Sequence, residues 1–433
     1  MKQITAWIFV LTFSWVSRAQ EVGKSLPAWK EGYLDIHHIN TGHGDAAFYI
    51  FPDGTTMLLD AGEMDPTAER TNSTRNAKPH PNGSKRAHEW IVDYIKRFHP
   101  LPKPAIDYAV ITHFHDDHFG SFYQTAKKST KGNYFLSGIT GVGDHLIFKK
   151  ILDRGYPEYN YPIALKNDSI RNALMANPST ADGYKAISNY WSFQESQIRQ
   201  NGTIVEQFKA GSALQIVLRH KPDRFKAFRV QNIKSNGEIW TGKGNETIEY
   251  FPALSSNEYV PGENQLSIAM RIDYGNFRCY TGGDCPGIAD LGAPKWNDVE
   301  TPMSTAIGEV DVAVMDHHGN RDAHNEFNIR TLRPRVWIQQ TWSSDHPGHE
   351  VLRRVTSTFL YPGPRDLFAT NILEANKNVI GPALERAYKS MDGHIVVRVM
   401  DEGKRYFVII LNDENEINEI ISVHGPYESK MKK

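Results

Sequence analysis

From Ala109 the chain reads Ala-Val-Ile-Thr and then His113-Phe114-His115-Asp116-Asp117-His118-Phe119-Gly120. Three imidazoles and two carboxylates fall within six residues, directly behind an apolar run. No other stretch so narrows what this chain can fold into. A strand has to end at about Thr112 and release a loop whose polar side chains are free to converge. Neutral imidazole and carboxylate are the ligands that zinc and similar divalent ions take. His113 and His115 lie two apart, so in extended geometry they point the same way. Asp117 and His118 follow where a turn can swing them toward a second ion. The ordinary alternative is a solvated loop that happens to be rich in histidine, and the density of donors weighs against it.

The composition sets wider bounds. A chain of 433 residues makes one large domain or two ordinary ones. Hydrophobic residues at 40% and aromatics at 11% supply a core and exclude global disorder. Lys+Arg at 49 against Asp+Glu at 50 excludes a generally basic nucleic-acid binder, though not a local basic groove. Met1-Lys2, the apolar stretch Trp7 to Phe13 and Ser17-Arg18-Ala19 have the order of a signal peptide cut near residue 19. The expectation is an exported, periplasmic or extracellular protein. No later segment has the run of roughly 18 apolar residues that a membrane span needs. Cys279 and Cys285 flank a strand end and are read either as a disulfide or as two buried thiols.

Along the chain, Tyr33–Asn40, Ala46–Phe51 and Met57–Leu59 read as a β-meander with turns at Gly42-His43-Gly44-Asp45 and Asp53-Gly54. Arg86–Phe98 has a one-sided apolar face and reads as a helix, followed by the strand Ile106–Ile111. Residues 122–257 lose the simple pattern and are too long for a connector. They are expected to form a mixed insertion over the mouth of the site. Within it, helices are expected at 146–152 and 181–200, strands at 203–208 and 214–218, and a hairpin at 228–241. Its many aromatics are assigned mainly to core packing. Later come a hairpin, Asn264 to Thr281, ending in Gly282-Gly283-Asp284; a strand, Asp311–Asp316, delivering His317-His318-Gly319-Asn320; and Asp345-His346-Pro347-Gly348-His349 before a helix. A last hairpin, Gly393 to Leu411, is expected to complete the second sheet, with the tail after Asn412 free to be unordered. His324 is expected on the surface.

The spacing His-x-His-x-Asp-His resembles that of the metallo-β-lactamase superfamily. The Gly42-His43-Gly44-Asp45 turn, Leu58-Leu59-Asp60-Ala61-Gly62, the Gly-Asp strand end and His317-His318-Gly319 are similar to the metallo-β-lactamase domain of bacterial DNA-uptake competence proteins. That branch usually has Gln where His43 stands, Ser where Asn320 stands and Gly where Asp345 stands. The resemblance implies an α/β (α+β) fold, a four-layer αββα sandwich over residues 20–430. It implies two divalent ions, with zinc the default and manganese or iron open. His113 and His115 would hold the first and Asp117 and His118 the second. Asp284 would bridge them, and His318, or alternatively His317, would complete the second. Relatives often give the first ion a further His. Between the motif and Asp284 only His145 and His220 occur, neither in a matching context, so the first ion would be less fully ligated or His317 would serve. Asp60 would brace the loop. Asp117 would help orient a metal-bridging hydroxide. His346 would serve beside the metals as acid or donor, or else simply bond to backbone. The implied reaction is hydrolysis of a phosphodiester or another ester; lactones and β-lactams are further substrates to weigh. The substrate would be a small molecule or a phosphodiester, with nucleic acid possible but unsupported by net charge. A metal-dependent binding protein without turnover is the contrasting class, and an iron and flavin redox member a third.

Overall fold

The computed structural model describes residues 20–253 and 260–431, so the signal-peptide reading of residues 1–19 lies outside the described residues. The chain begins with β1 (Leu34–His38), β2 (Ala47–Ile50) and β3 (Thr56–Leu59), then helix α1 (Ala87–Phe98) and β4 (Ile106–Val110). After the short helix α2 (Asp116–Phe119) come α3 (Gly138–His145), β5 (Phe148–Asp153), α4 (Asp168–Ala176), α5 (Pro178–Asn201) and β6 (Ile204–Gln207). Strands β7 (Phe228–Ser235), β8 (Glu238–Trp240) and β9 (Thr247–Glu249) precede α6 (Glu263–Leu266) and the hairpin β10 (Ala269–Tyr274) and β11 (Phe277–Gly282). Helix α7 (Glu300–Ile307), β12 (Val312–Val314), α8 (Glu326–Leu332), β13 (Val336–Gln339), α9 (His349–Thr356) and β14 (Asp366–Ala369) then alternate. The chain closes with α10 (Glu374–Ile380), α11 (Pro382–Ala387), β15 (Tyr388–Ser390), β16 (His394–Met400), β17 (Arg405–Leu411) and β18 (Ile420–Glu428).

Two nine-stranded mixed sheets result, in the orders β18-β17-β16-β1-β2-β3-β4-β5-β6 and β15-β14-β13-β12-β11-β10-β7-β8-β9. Apolar side chains alternate across each strand, because successive residues face opposite sides. Thus Ile395, Val397 and Val399 of β16 enter the core between the sheets, along with Met270, Ile272, Val336 and Ile338 of the second sheet. Val396 faces the other way, toward Ile91, Ile95, Val142 and Phe193 of α1, α3 and α5. The second sheet carries α7, α8, α9 and α11 on its outer side, through Met303, Ile329, Val351 and Leu384. This is the expected four-layer αββα sandwich. No helix among the described residues is long and apolar enough to cross a membrane.

Several local expectations are corrected. Residues 148–153 form a strand, because Ile151 enters the outer core and its neighbour Leu152 the inter-sheet core. Adjacent apolar residues suit a strand covered on both faces as well as a helix. Leu214–Leu218 forms no strand: its backbone is held by side chains instead of a ladder, with the Val217 N–H bonded to the Tyr108 hydroxyl and the Arg219 N–H to the Thr55 hydroxyl. Residues 122–257 do not sit as a separate unit over the site. Their strands β5 and β6 extend one edge of the first sheet, and β7 to β9 extend the second. The β16–β17 hairpin belongs to the first sheet, where β16 pairs with β1, and the tail supplies β18 as its edge strand.

Candidate metal centre

The donors converge at the ends of three strands. Strand β4 runs into Thr112 and His113, and one turn of helix, α2, carries Asp117 and His118. Strand β11 is followed by Gly283 and Asp284, and β12 by His317 and His318. Both of these histidines take left-handed backbone conformations, with φ of 47° and 54°. That turn throws the neighbouring rings to different sides of Asp284.

Two groups of donors form, and Asp284 belongs to both: Asp117, His118, Asp284 and His318 in one, His113, His115 and Asp284 in the other. In the first group His118 Nε2 stands 3.0 Å from Asp284 Oδ1 and His318 Nε2 3.0 Å from Asp117 Oδ2. The cross distances are 3.8 Å from His118 Nε2 to Asp117 Oδ2 and 3.5 Å from His318 Nε2 to Asp284 Oδ1. In the second group His113 Nε2 is 3.1 Å from His115 Nδ1 and 3.6 Å from Asp284 Oδ2. A tetrahedron with metal–nitrogen bonds of about 2.0–2.1 Å has edges of about 3.3 Å. Both groups have donor spacings on that scale. The oxygens of Asp284 divide between them, Oδ1 toward His118 and His318, Oδ2 toward His113. His118 Nε2 is buried, and carboxylate oxygens of Asp284 and Asp117 are close polar neighbours.

Around the donors lies a supporting shell. Asp60 Oδ2 accepts from His118 Nδ1 at 2.9 Å and from the Thr112 hydroxyl at 2.6 Å, and its Oδ1 accepts the Thr112 N–H at 2.8 Å. This fixes the His118 tautomer with Nε2 free for the centre, and it is the bracing role expected for Asp60. Burial opposes charge on His118, but Asp284 and Asp117 outweigh it and raise its pKa well above the usual imidazole value. His318 behaves the same way, with Asp45 the leading carboxylate against burial. Burial and the His118 charge push the pKa of His113 well down, so its ring is neutral. Burial would raise Asp284, but His118, His318, His317 and His113 together hold it well below the carboxylate range.

Other residues stand beside the donors without having been assigned to the site from the sequence. Asp45, quoted only as part of a turn, faces His318 Nδ1 at 3.1 Å. The Trp342 indole N–H donates to Asp117 Oδ2 at 3.0 Å. Glu263 accepts the Phe114 N–H at 3.0 Å and pairs with Arg154, a buried arginine at the end of β5. Asp45 was findable, since it closes the Gly-x-Gly-Asp turn; Trp342, Arg154 and Glu263 stand alone in sequence and carry no motif.

His317 lies apart from His318. Its Nδ1 is 2.6 Å from Asp322 Oδ1, and its Nε2 is 3.2 Å from the Asn264 amide and 3.9 Å from Asp284 Oδ2. It therefore stands on the His113 side of Asp284. His145 is remote, stacked on His88, and His220 lies near Asp107. His346 stacks on His318 with ring centroids 4.7 Å apart, and its Nδ1 accepts long contacts of 3.4 Å from the Trp342 and Ser343 N–H groups. His346 thus lies beside the donor groups and bonds to backbone as well. His324 is fully buried rather than on the surface, because its Nε2 accepts the Asp316 N–H behind the metal loop. Glu300, Asp316 and His324 cluster there, but the Glu300 carboxylate accepts two backbone N–H groups and Asp316 the Tyr280 hydroxyl. Cys279 and Cys285 are two buried free thiols.

A cavity of about 720 Å³ opens over the centre, lined by His115, Asp117, Asp284, His318, Trp342 and His346 and walled by residues 69–76. The wall comes from the loop after β3, and none of the described residues between 122 and 253 lines this cavity.

Among solved structures the chain is similar to the metallo-β-lactamase fold protein YhfI from Bacillus subtilis, at 11% identity and a TM-score of 0.31, covering 83% of this chain and 95% of that one. It is similar also to unliganded yeast PDE1, at 10% identity and a TM-score of 0.30, covering 85% of this chain and 99% of that one. No protein-family model and no curated protein matches the sequence.

Proposed function

We propose that this chain is a metal-dependent hydrolase of the metallo-β-lactamase superfamily that cleaves a phosphodiester or another ester. The observation that carries the reading is Asp284, whose two oxygens face two separate donor groups at ligand spacing. His113, His115 and Asp284 would hold one ion, with His317 the nearest further nitrogen. Asp117, His118, Asp284 and His318 would hold the other. Zinc suits these nitrogen and oxygen donors. Two bound ions would supply a water nucleophile at neutral pH and polarise the scissile oxygen.

The chain's own residues do the remaining work. Asp60 and Asp45 orient His118 and His318 from outside the centre. Trp342 bonds Asp117 Oδ2, the same oxygen that faces His318, and holds it in place. Burial and the nearby His318 push the pKa of His346 down to about 3, so its ring is neutral. With Nδ1 accepting from the backbone, Nε2 carries the hydrogen, and His346 serves the developing negative charge as a donor. Closeness to the competence branch rests on the sequence motifs, and export on the apolar stretch Trp7 to Phe13.

The test is metal content together with turnover of bis(4-nitrophenyl) phosphate by the purified mature chain. Two ions per chain and metal-dependent release of 4-nitrophenol are expected. A protein that takes up no metal on reconstitution would sink the reading.

A further inference from the structure

A second cavity, of about 380 Å³, adjoins the first and shares Arg70, His115 and Asp116 with it. Its floor is Phe114, Phe119, Phe122 and Ala186, and its rim carries Asp65 and Asp182. The alternation that aims His113 and His115 at the metal centre turns Phe114, the residue between them, the other way. Phe114 is held there: the Arg154 guanidinium lies 4.6 Å over its ring, and Phe119 meets it edge-on at 5.5 Å. Phe122 is only half-buried. The two cavities are parted by the Arg70–Asp116 ion pair, whose arginine is 73% exposed. An ion pair so open to water holds weakly and can part around a ligand.

We infer that the substrate carries an aromatic or flat apolar group, which docks against Phe122, backed by the buried Phe114 and Phe119, across the Arg70–Asp116 pair while the scissile group lies at the metal centre. The inference deepens the hydrolase reading and rests on it for the word substrate. The second cavity shares His115 with the reactive centre and adds no donor set of its own. Of its aromatic rings the half-buried Phe122 offers surface, with the buried Phe114 and Phe119 packed behind, and a flat ring is a matching partner for it. At the rim Asp182 is paired with Lys185 and Asp116 with Arg70, so the docked group needs no charge of its own. This is also where the 122–257 segment meets the site, through Phe122 and the first turns of α5.

Gly183 gives the test. It lines this cavity in α5, and a Cβ placed there meets nothing within 4 Å. A tryptophan at this place fills the cavity from a helix that gains by losing glycine. The measurement is calorimetric binding of 2-naphthylmethylphosphonate and of methylphosphonate to the zinc-loaded full chain. In the unaltered protein the naphthyl probe is expected to bind at least about tenfold more tightly, the effect of burying a ring. In Gly183→Trp that ratio is expected to fall to near unity, and Phe122→Ala, which removes floor instead of filling space, is expected to reduce it as well. Equal affinities in the unaltered protein, no binding of either probe, or a ratio untouched by both substitutions would overturn the inference. A naphthyl preference that persists in a protein hydrolysing no ester would support the aromatic cavity and overturn the hydrolase reading.

Discussion

Asp284 joins the two donor groups, so its removal should cost more than any one histidine. Asp284→Ala is expected to lose metal from both groups and lower hydrolysis by at least about a hundredfold, as loss of a shared charged ligand should. Full metal loading in that variant would return Asp284 to an ordinary strand-end turn. Asp60→Asn probes the shell behind: Asn tolerates the left-handed backbone at this position, φ 57°, but cannot charge-stabilise His118. Metal affinity by chelator competition should weaken by about 10–100-fold. His118 and His318 also give a pH signature. Their folded pKa values are raised, so without metal the stability they contribute is complete below about pH 6.5 and is lost as pH rises through the raised values. Metal displaces those protons. Calorimetry at pH 7 in buffers of different ionisation enthalpy should therefore show net proton release on zinc binding, with affinity rising with pH. His346→Ala should keep its metal and lose rate; unchanged turnover would leave His346 a backbone-bonding residue.

At the scale of elements, the site depends on turns that pass within contact distance. A Cβ on Gly62 would stand 1.9 Å from the Asp117 carbonyl oxygen, and one on Gly44 2.4 Å from the same atom. The turns after β1 and β3 thus close directly on α2, with the Asp45 N–H bonded to the Asp117 carbonyl at 2.8 Å. Gly62→Ala is expected to destabilise by about 1–3 kcal/mol through overpacking and to weaken metal binding along with it. Denaturant unfolding and metal titration read the two effects separately. The sequence signalled these elements well, because β-meander, helix and metal loop follow one another with local periodicity and turn chemistry. It failed between 122 and 257, where adjacent apolar residues such as Ile151 and Leu152 serve two different cores. It failed again at the tail, where the polar run after Asn412 hides Ile420 and Tyr427, each reaching a core from an edge strand.

Across the whole molecule, the centre lies where the two sheets meet, with donors from β4 and α2 on one side and from β11 and β12 on the other. Metal binding should therefore tie the halves together. Chelation is expected to lower the melting temperature, since an ion at a thousand times its dissociation constant adds about 4 kcal/mol to the folded state. An unchanged melting temperature on complete metal removal would mean the donors are held by packing alone. What the sequence determined by itself is the chemistry of the near pairs. His113 with His115, and Asp117 with His118, are set by strand and turn geometry over a few residues, and that geometry is local. The tertiary structure decided the rest. It chose His318 over His317 for the Asp117 group, gave Asp45 and Trp342 their places beside the donors, and opened the aromatic cavity behind His115. Those residues come together only because two nine-stranded sheets bury a common core. Such long-range burial leaves no periodicity in the chain to be read.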